Sequence, residues 1–440
     1  MTRLPNTIPV LAVATNLIRA RRRDRSQPEH IEALRSRLLQ QLVQHAYTRV
    51  PYYRRVLDPT AVAEFTGTPD LARLPILDRK VLNEVGCEQL LADGFTVDNT
   101  RSAATSGSSG VPVVAYYSEH DLGYLRATYL WDLLACGLRP WDRVGFFRLG
   151  GFRRHRLERF GLVRNIHINT GEDLDHQVAA FLAGRPTFLW GFPNAIASLA
   201  AELQRRGVSY RGVRNVIFAG ESLADSARAE VLDYFGARGH DVYSTVEAYT
   251  IARSCPRGVM HLRSADVVVE VERDDGTVAL AESVTTSGEE LEGEILVTRL
   301  HAEAMPLLRY RVGDRVRIGP NDCPCQVMHT PILRQLVGRV EDRLYTRDGR
   351  ARNGTHLSGL IDGLEGIRQY QFVQRRQGQV ELLLVSSHGA DPDEVVARVS
   401  EALSAAAGEF DLSVTSVDAI TPGPNGKIRR VRSELPSGTP

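Results

Sequence analysis

Ile31, Leu34, Leu38 and Val43 recur at helical spacing among charged residues, which predicts an amphipathic helix over 29–47 closed off by Pro51. Farther on, short β-branched runs alternate with helical stretches. Strands are expected at 144–149, 187–190 and 215–219, and helices over 172–182, 193–206 and 225–235. This β-then-α rhythm predicts a layered sheet covered by helices. From Asp266 the texture turns to strands without long helices, at 267–271, 294–298 and 315–318, so a β-rich subdomain is placed at about 260–338. A third texture follows Gly338: strands at 371–373 and 380–385, a helix over 393–407 and a strand at 412–417. The fold expected is α/β, with a large N-terminal domain (1–338) of layered sheets and helices and a small α+β C-terminal domain (339–440) behind a hinge.

Composition narrows the function. The 440 residues carry 54 basic and 53 acidic side chains, a formal charge of +1, so no sustained basic field is offered to nucleic acid or to an anionic membrane. A small-molecule partner is expected instead. The early apolar stretch 8–20 is broken by Pro9, Thr15 and Asn16 and falls short of the roughly 20 residues of a membrane span. Arginines 21–23 follow it without a small-residue cleavage site, which argues against a secretory signal. Five scattered cysteines argue against a disulfide framework and for a reducing cytoplasm. Only two of the basic residues are lysines, Lys80 and Lys427. An ammonium can approach one oxygen as a compact point charge, where the arginine fork suits bidentate partners.

The stretch Thr105-Ser106-Gly107-Ser108-Ser109-Gly110-Val111-Pro112 interleaves hydroxyls with glycines. It offers backbone and side-chain donors to phosphate oxygens, though a flexible surface turn reads the same way. No Gly-Lys-Ser/Thr follows, which disfavours a P-loop ATPase. Other motifs follow in order: Ala219-Gly220-Glu221-Ser222, Tyr243 to Glu247, Arg309-Tyr310-Arg311 into Gly313-Asp314, Gly338-Arg339 to Asp342, and Asn425-Gly426-Lys427-Ile428-Arg429. Together they resemble the adenylate-forming superfamily of acyl-CoA synthetases, adenylation domains and luciferases, and within it the phenylacetate-CoA ligase-like branch. His45-Ala46-Tyr47, Val50-Pro51-Tyr52-Tyr53 and Leu74-Pro75 to Lys80 resemble that branch's N-terminal region.

The resemblance implies ATP and Mg²⁺ as reactants. Thr105, Ser106, Gly107, Ser108, Ser109 and Gly110 would contact phosphates. Glu247 would hold Mg²⁺, a hard cation suited to carboxylate oxygen. Tyr243 would pack on adenine, with Gly220, Glu221 and Ser222 lining the same pocket and Ser244 and Thr245 beside it. Asp314 would accept hydrogen bonds from the ribose diol, assisted by Arg339. Lys427 would serve the attacking carboxylate and the α-phosphate. The C-terminal domain is then expected to be mobile, turning about Asp342 between adenylation and acyl transfer.

Cys255, His261, Cys323 and Cys325 could close a tetrahedral zinc site between two distant segments, although buried reduced thiols and an ordinary histidine are an equal reading. Some bacterial members of the branch carry a Cys/His cluster in the matching region. Cys87 and Cys136 sit in apolar helical contexts and read as core.

Two departures matter. Val246 stands where the family has a hydroxyl before the metal-binding glutamate, and 346–357 lacks the Arg-Gly-Val-Asn-Val-Phe-Pro-like loop that shapes the thiol tunnel. The expected reaction is ATP-dependent activation of a carboxylic acid as acyl-adenylate with release of pyrophosphate, then transfer to a thiol, coenzyme A or a carrier-protein pantetheine. The acid would be aromatic, from the branch and from a wall of Trp190, Phe192 and Pro193 that equally reads as core packing. Alternatives are amide formation with an amine acceptor, AMP transfer to a hydroxyl, and a non-catalytic nucleotide-binding relic, which Val246 motivates. A homodimer is a further partnership the resemblance admits.

Overall fold

The computed structural model describes residues 10–104, 113–150, 158, 160–339, 342–423 and 426–435. The chain forms two compact units, Met1–Cys136 with Val242–Val337, and Gly137–Asp241 with Gly338–Pro440.

The first unit is built on an antiparallel sheet. Its strand order is Val278–Leu280, Val267–Glu272, Leu291–Arg299, Tyr310–Gly319, Ile332–Arg339, Met260–Leu262, Tyr249–Ser254 and the 242–245 end of Arg238–Thr245. Valines 267, 268, 269 and 271 belong to the core that Leu39, Val43 and Tyr53 enter from the helices Pro28–Arg49 and Pro51–Val56. Antiparallel pairing already begins at Val242 opposite Arg253, upstream of the residue 260 that the texture suggested. Polar residues 238, 240, 241 and 244 dilute that strand's hydrophobic signal.

The helix Glu119–Ala135 was not visible in the apolar pattern because it buries residues on every side, leaving no stripe of period 3.6. Ser118 and Asp121 close its start as a capping box. Arg253 and Arg263, both buried, link Asp132 on this helix to Asp24 on the N-terminal helix Val10–Asp24, with Arg263 at 3.0 and 3.1 Å from the two carboxylates. Asp266 joins at 2.5 Å from Arg263 and 3.0 Å from Arg23. Arg23 also donates to His301 Nε2 at 2.8 Å, a geometry that needs a neutral imidazole.

Burial, reinforced by Arg23, pushes the His301 pKa down to about 3. The folded state therefore holds His301 neutral while the unfolded chain protonates it near pH 6.5. Stability from this site is complete above pH 6.5 and is lost as pH falls toward about 3, a change on the order of 3–5 kcal/mol. Thermal unfolding scans across that window should show the decline in the wild type and a shallower one in His301→Asn.

In the second unit, parallel strands Asn215–Ala219, Phe188–Gly191, Arg143–Arg148 and Arg164–Asn169 lie in that order. Phe147, Leu189, Val216 and Phe218 pack beneath the helices Leu174–Gly184, Pro193–Arg205 and Asp225–Phe235 through Phe181, Leu199, Val231 and Phe235. The strands Arg143–Arg148, Phe188–Gly191 and Asn215–Ala219 and the three helices follow the predicted alternation to within two residues at each end, whereas the strand Arg164–Asn169 was not predicted. The C-terminal residues form a second sheet in the order Asp411–Ser416, Gln379–Ser386, Ile367–Arg376 and Val431–Ser433, closed by the helix Pro392–Leu403 around Phe372, Leu382 and Val399. Ala224 and Ala227, from the Asp225–Phe235 region, join that same core. Among the described residues, no helix is long and apolar enough to cross a membrane.

Candidate functional site

The stretch Thr105 to Gly110, expected to hold phosphates, lies outside the described residues; it is flanked by an antiparallel pair, Arg101–Ala104 against Val114–Tyr117.

Within the first unit, strands Arg238–Thr245 and Tyr249–Ser254 form a hairpin whose tip carries Val246, Glu247 and Ala248. Thr245 Oγ1 accepts the Ala248 N–H at 3.1 Å, and Tyr249 takes φ +62°, a left-handed turn conformation unusual for an aromatic residue. This turn sets Glu247 inward: it is buried, and the Tyr310 hydroxyl donates to its Oε1 at 3.3 Å. Burial raises the Glu247 pKa, and the facing Asp314 raises it further. A buried carboxylate whose ionisation is penalised is an oxygen donor that a hard divalent cation fits, because the ion's charge offsets that penalty. The Tyr243 hydroxyl donates to Asp314 Oδ2 at 2.8 Å, so the ring proposed for adenine and the carboxylate proposed for ribose are joined directly. Ser244 is exposed. Val246 packs with Tyr117, Leu122 and Leu125, and its carbonyl accepts the Tyr117 hydroxyl. An apolar side chain there completes a hydrophobic cluster where the family carries a hydroxyl.

The same unit brings Cys255, His261, Cys323 and Cys325 together, with all four ligand atoms within 4.8 Å of one another. Cys255 Sγ and Cys323 Sγ are 3.7 Å apart, as are Cys325 Sγ and His261 Nε2. Four ligands around zinc with Zn–S near 2.3 Å require S···S separations of about 3.8 Å, so the set fits the ion. The hydrogen-bond pattern assigns the histidine tautomer: Nδ1–H donates to the Thr330 carbonyl at 3.3 Å, which leaves Nε2 as the lone-pair donor. Burial lowers the His261 pKa, keeping the ring neutral as a ligand must be. Burial and the neighbouring sulfurs push the Cys323 thiol up to about 12, and a divalent cation would reverse that order. Cys136 is buried as expected; Cys87 is half-buried.

In the second unit, Gly220 follows the strand Asn215–Ala219 with φ +88°. A Cβ there would meet Lys427 Nζ at 3.2 Å and the Phe192 ring at 3.4 Å, closer than ordinary contact, and the positive φ itself favours glycine. The Lys427 ammonium lies 5.3 Å from the Phe192 ring centroid. Glu221 Oε2 accepts the Ile428 N–H at 2.8 Å and Oε1 accepts the Asn194 N–H at 3.2 Å. The Ser222 carbonyl accepts from Asn194 Nδ2 at 3.4 Å, and its residue is exposed. Trp190 stacks on its cross-strand neighbour Phe146, with centroids 4.4 Å apart. The Arg339 carbonyl accepts the Asp342 N–H at 3.1 Å, and the Asp342 carboxylate pairs with Arg429, two residues beyond Lys427. Tyr310, Asn194, Ile428 and Thr330 are participants that motif reading missed. Tyr310 and Ile428 stand within ordered motifs; Ile428 and Thr330 act through backbone groups that leave no trace in residue type, and Asn194 through both its N–H and its side-chain amide.

No protein-family model matches the chain. It is 28% identical over 406 residues to the phenylacetate-coenzyme A ligase of Thermus thermophilus, covering 89% of this chain and 86% of that one. The phenylacetate-coenzyme A ligase of Escherichia coli is 27% identical over 381 residues, 81% of this chain and 82% of that one. Among solved structures, 2-hydroxyisobutyryl-CoA ligase in the postadenylation state matches with a TM-score of 0.74 at 17% identity, over 98% of this chain and 94% of that one. The chain has the fold of an adenylate-forming acid–CoA ligase. In sequence it is similar to the phenylacetate-CoA ligases over most of its length.

Proposed function

We propose that this protein is an AMP-forming acid–CoA ligase that couples ATP cleavage to activation of a small, probe-identifiable carboxylic acid, with an aromatic acid as the first class to test. The carrying observation is Lys427, one of two lysines in the chain, seated against Gly220 and Phe192. In the first half-reaction a carboxylate oxygen attacks the α-phosphorus of ATP, the bond to the bridging β-phosphate oxygen breaks, and pyrophosphate leaves. Lys427 offsets the negative charge gathered on the attacking and α-phosphate oxygens. Glu247 would hold Mg²⁺, which supplies charge neutralisation along the triphosphate when bound. Asp314, whose Oδ2 accepts the Tyr243 hydroxyl, would accept a hydrogen bond from a ribose hydroxyl. In the second half-reaction the coenzyme A thiolate attacks the acyl carbonyl and AMP departs.

The domain reading accompanies this one: residues 339–440 turn about Asp342, withdrawing Lys427 once adenylation is complete. The Cys255, His261, Cys323 and Cys325 cluster holds a structural zinc ion in the same reading.

Carboxylate-dependent exchange of labelled pyrophosphate into ATP tests the proposal. Aromatic acids such as benzoate and phenylacetate should stimulate exchange at least ~10-fold over the acid-free rate, an effect well above background hydrolysis. No exchange across a broad acid panel would return the protein to a nucleotide-binding role. The departure at 346–357 favours a second acceptor class, an amine, and mass analysis of products formed with coenzyme A or with amines separates thioester from amide.

A further inference from the structure

The helix Pro193–Arg205 begins without a usable cap of its own. Its N-cap is Phe192, whose ring cannot accept a hydrogen bond, and Pro193 at the first position has no N–H. The first free donor is therefore the Asn194 N–H. Glu221, which follows the strand Asn215–Ala219 by two residues, supplies the missing acceptor: Oε1 takes the Asn194 N–H at 3.2 Å. Its other oxygen turns to a segment 207 positions later in the chain and takes the Ile428 N–H at 2.8 Å. One carboxylate thus joins a helix N-terminus in the 137–241 segment to the backbone immediately after Lys427.

The Lys427 loop has little freedom around that bond. The Gly423 N–H donates to the Lys427 carbonyl at 2.8 Å and the Gly426 N–H to the Gly423 carbonyl at 2.8 Å. Gly426 takes φ +74°, and a Cβ there would lie 2.8 Å from Thr170 Oγ1, so Gly426 rests directly on Thr170. Gln369 adds a parallel tie, donating to Ser198 Oγ at 3.0 Å and to the Asn194 carbonyl at 3.3 Å. The Glu221 bond ties the residue that follows Lys427 to the start of the helix Pro193–Arg205.

We infer that Glu221 is the clasp of the adenylating lysine: its carboxylate bridges the Asn194 and Ile428 N–H groups and thereby seats Lys427 against Gly220 and Phe192. Glu221 is a positioning residue in this role, acting on the reaction through Lys427. Releasing the Ile428 N–H frees the 426–430 segment to leave with the C-terminal lobe, so the clasp governs the adenylating pose and has no part in thioester formation. The inference rests on the reading of Lys427 as the adenylation lysine.

Glu221→Gln keeps the size of the side chain but turns an amide NH₂ toward one of two N–H donors, so one of the bridging bonds must break. Ile428→Pro removes the second donor while leaving Glu221 intact. Each variant should slow pyrophosphate exchange by about 10- to 100-fold, through kcat with KM for ATP within about twofold, as expected for loss of a buried hydrogen bond that holds the lysine in place. Reaction of supplied acyl-adenylate with coenzyme A should stay within about twofold of wild type, and the double variant should be no slower than the worse single one. Hydrogen–deuterium exchange of the peptide containing Ile428 supplies a readout independent of turnover: it should quicken at least ~10-fold in Glu221→Gln. Unchanged amide protection, equal loss of both half-reactions, or a defect confined to KM for ATP would each overturn the clasp. Should the wild type itself show no carboxylate-dependent exchange, the functional reading falls, and the amide-protection result still decides whether Glu221 holds this segment.

Discussion

Lys427→Ala is expected to lower carboxylate-dependent pyrophosphate exchange by roughly 10²–10³-fold, while acyl-adenylate added from outside is still converted to thioester at close to the wild-type rate. The size follows from removing one preorganised charge aimed at oxygens that become more negative in the transition state, worth about 3–4 kcal/mol in comparable sites. The asymmetry follows from where the ammonium sits. It is held beside Gly220 and Phe192, with the following N–H clasped by Glu221, an arrangement that serves one pose of the C-terminal residues. Lys427→Arg should restore little, because a planar guanidinium cannot place its charge at a single oxygen as a compact ammonium does. An alanine variant that exchanges pyrophosphate at the wild-type rate would remove Lys427 from the mechanism.

The second large effect concerns zinc. Protein purified without chelator should contain ~1 zinc ion per chain, and Cys323→Ser or His261→Ala should lose it, as three-ligand remnants of structural sites do. Removal is expected to lower the melting temperature by roughly 5–10 °C, since the site joins the segment around Cys255 to that around Cys323 across 68 positions and several kcal/mol of metal binding contributes to folding. Adenylation should decline only as far as folding does, because the cluster adjoins the buried Arg253 and Arg263 and none of its four residues is Glu247 or Asp314. Native protein lacking near-stoichiometric zinc would leave four packed polar residues in place of a metal centre. Full retention of stability in both variants would do the same.

Much of the architecture was legible because hydrophobic period reports local burial. The strand at 215–219 and the helix at 225–235 are found where the pattern placed them, since each presents one apolar face to one core. The helix Glu119–Ala135 escaped because burial on every side erases the period, and the strand Arg238–Thr245 because its polar residues serve the turn and neighbouring ion pairs. Candidate chemistry was legible in the same uneven way. Glu247, Asp314 and Lys427 are conspicuous as residue types in ordered motifs. The bond from Tyr243 to Asp314, the turn strain at Tyr249 and the packing of Val246 against Tyr117 are not.

The amino-acid order by itself determined the inventory: a lone lysine in a glycine-rich turn, an acidic residue after a strand, three cysteines and a histidine in two clusters, and an alternation that demands covered sheets. Tertiary structure alone decided the pairings. Glu221 meets Ile428 across 207 positions and Cys255 meets Cys323 across 68, and neither meeting follows from local propensity. The physical reason is that side-chain periodicity records which face of an element leaves water, whereas a hydrogen bond or a ligand set needs two particular atoms brought within about 4 Å, a distance fixed only when the cores around them close.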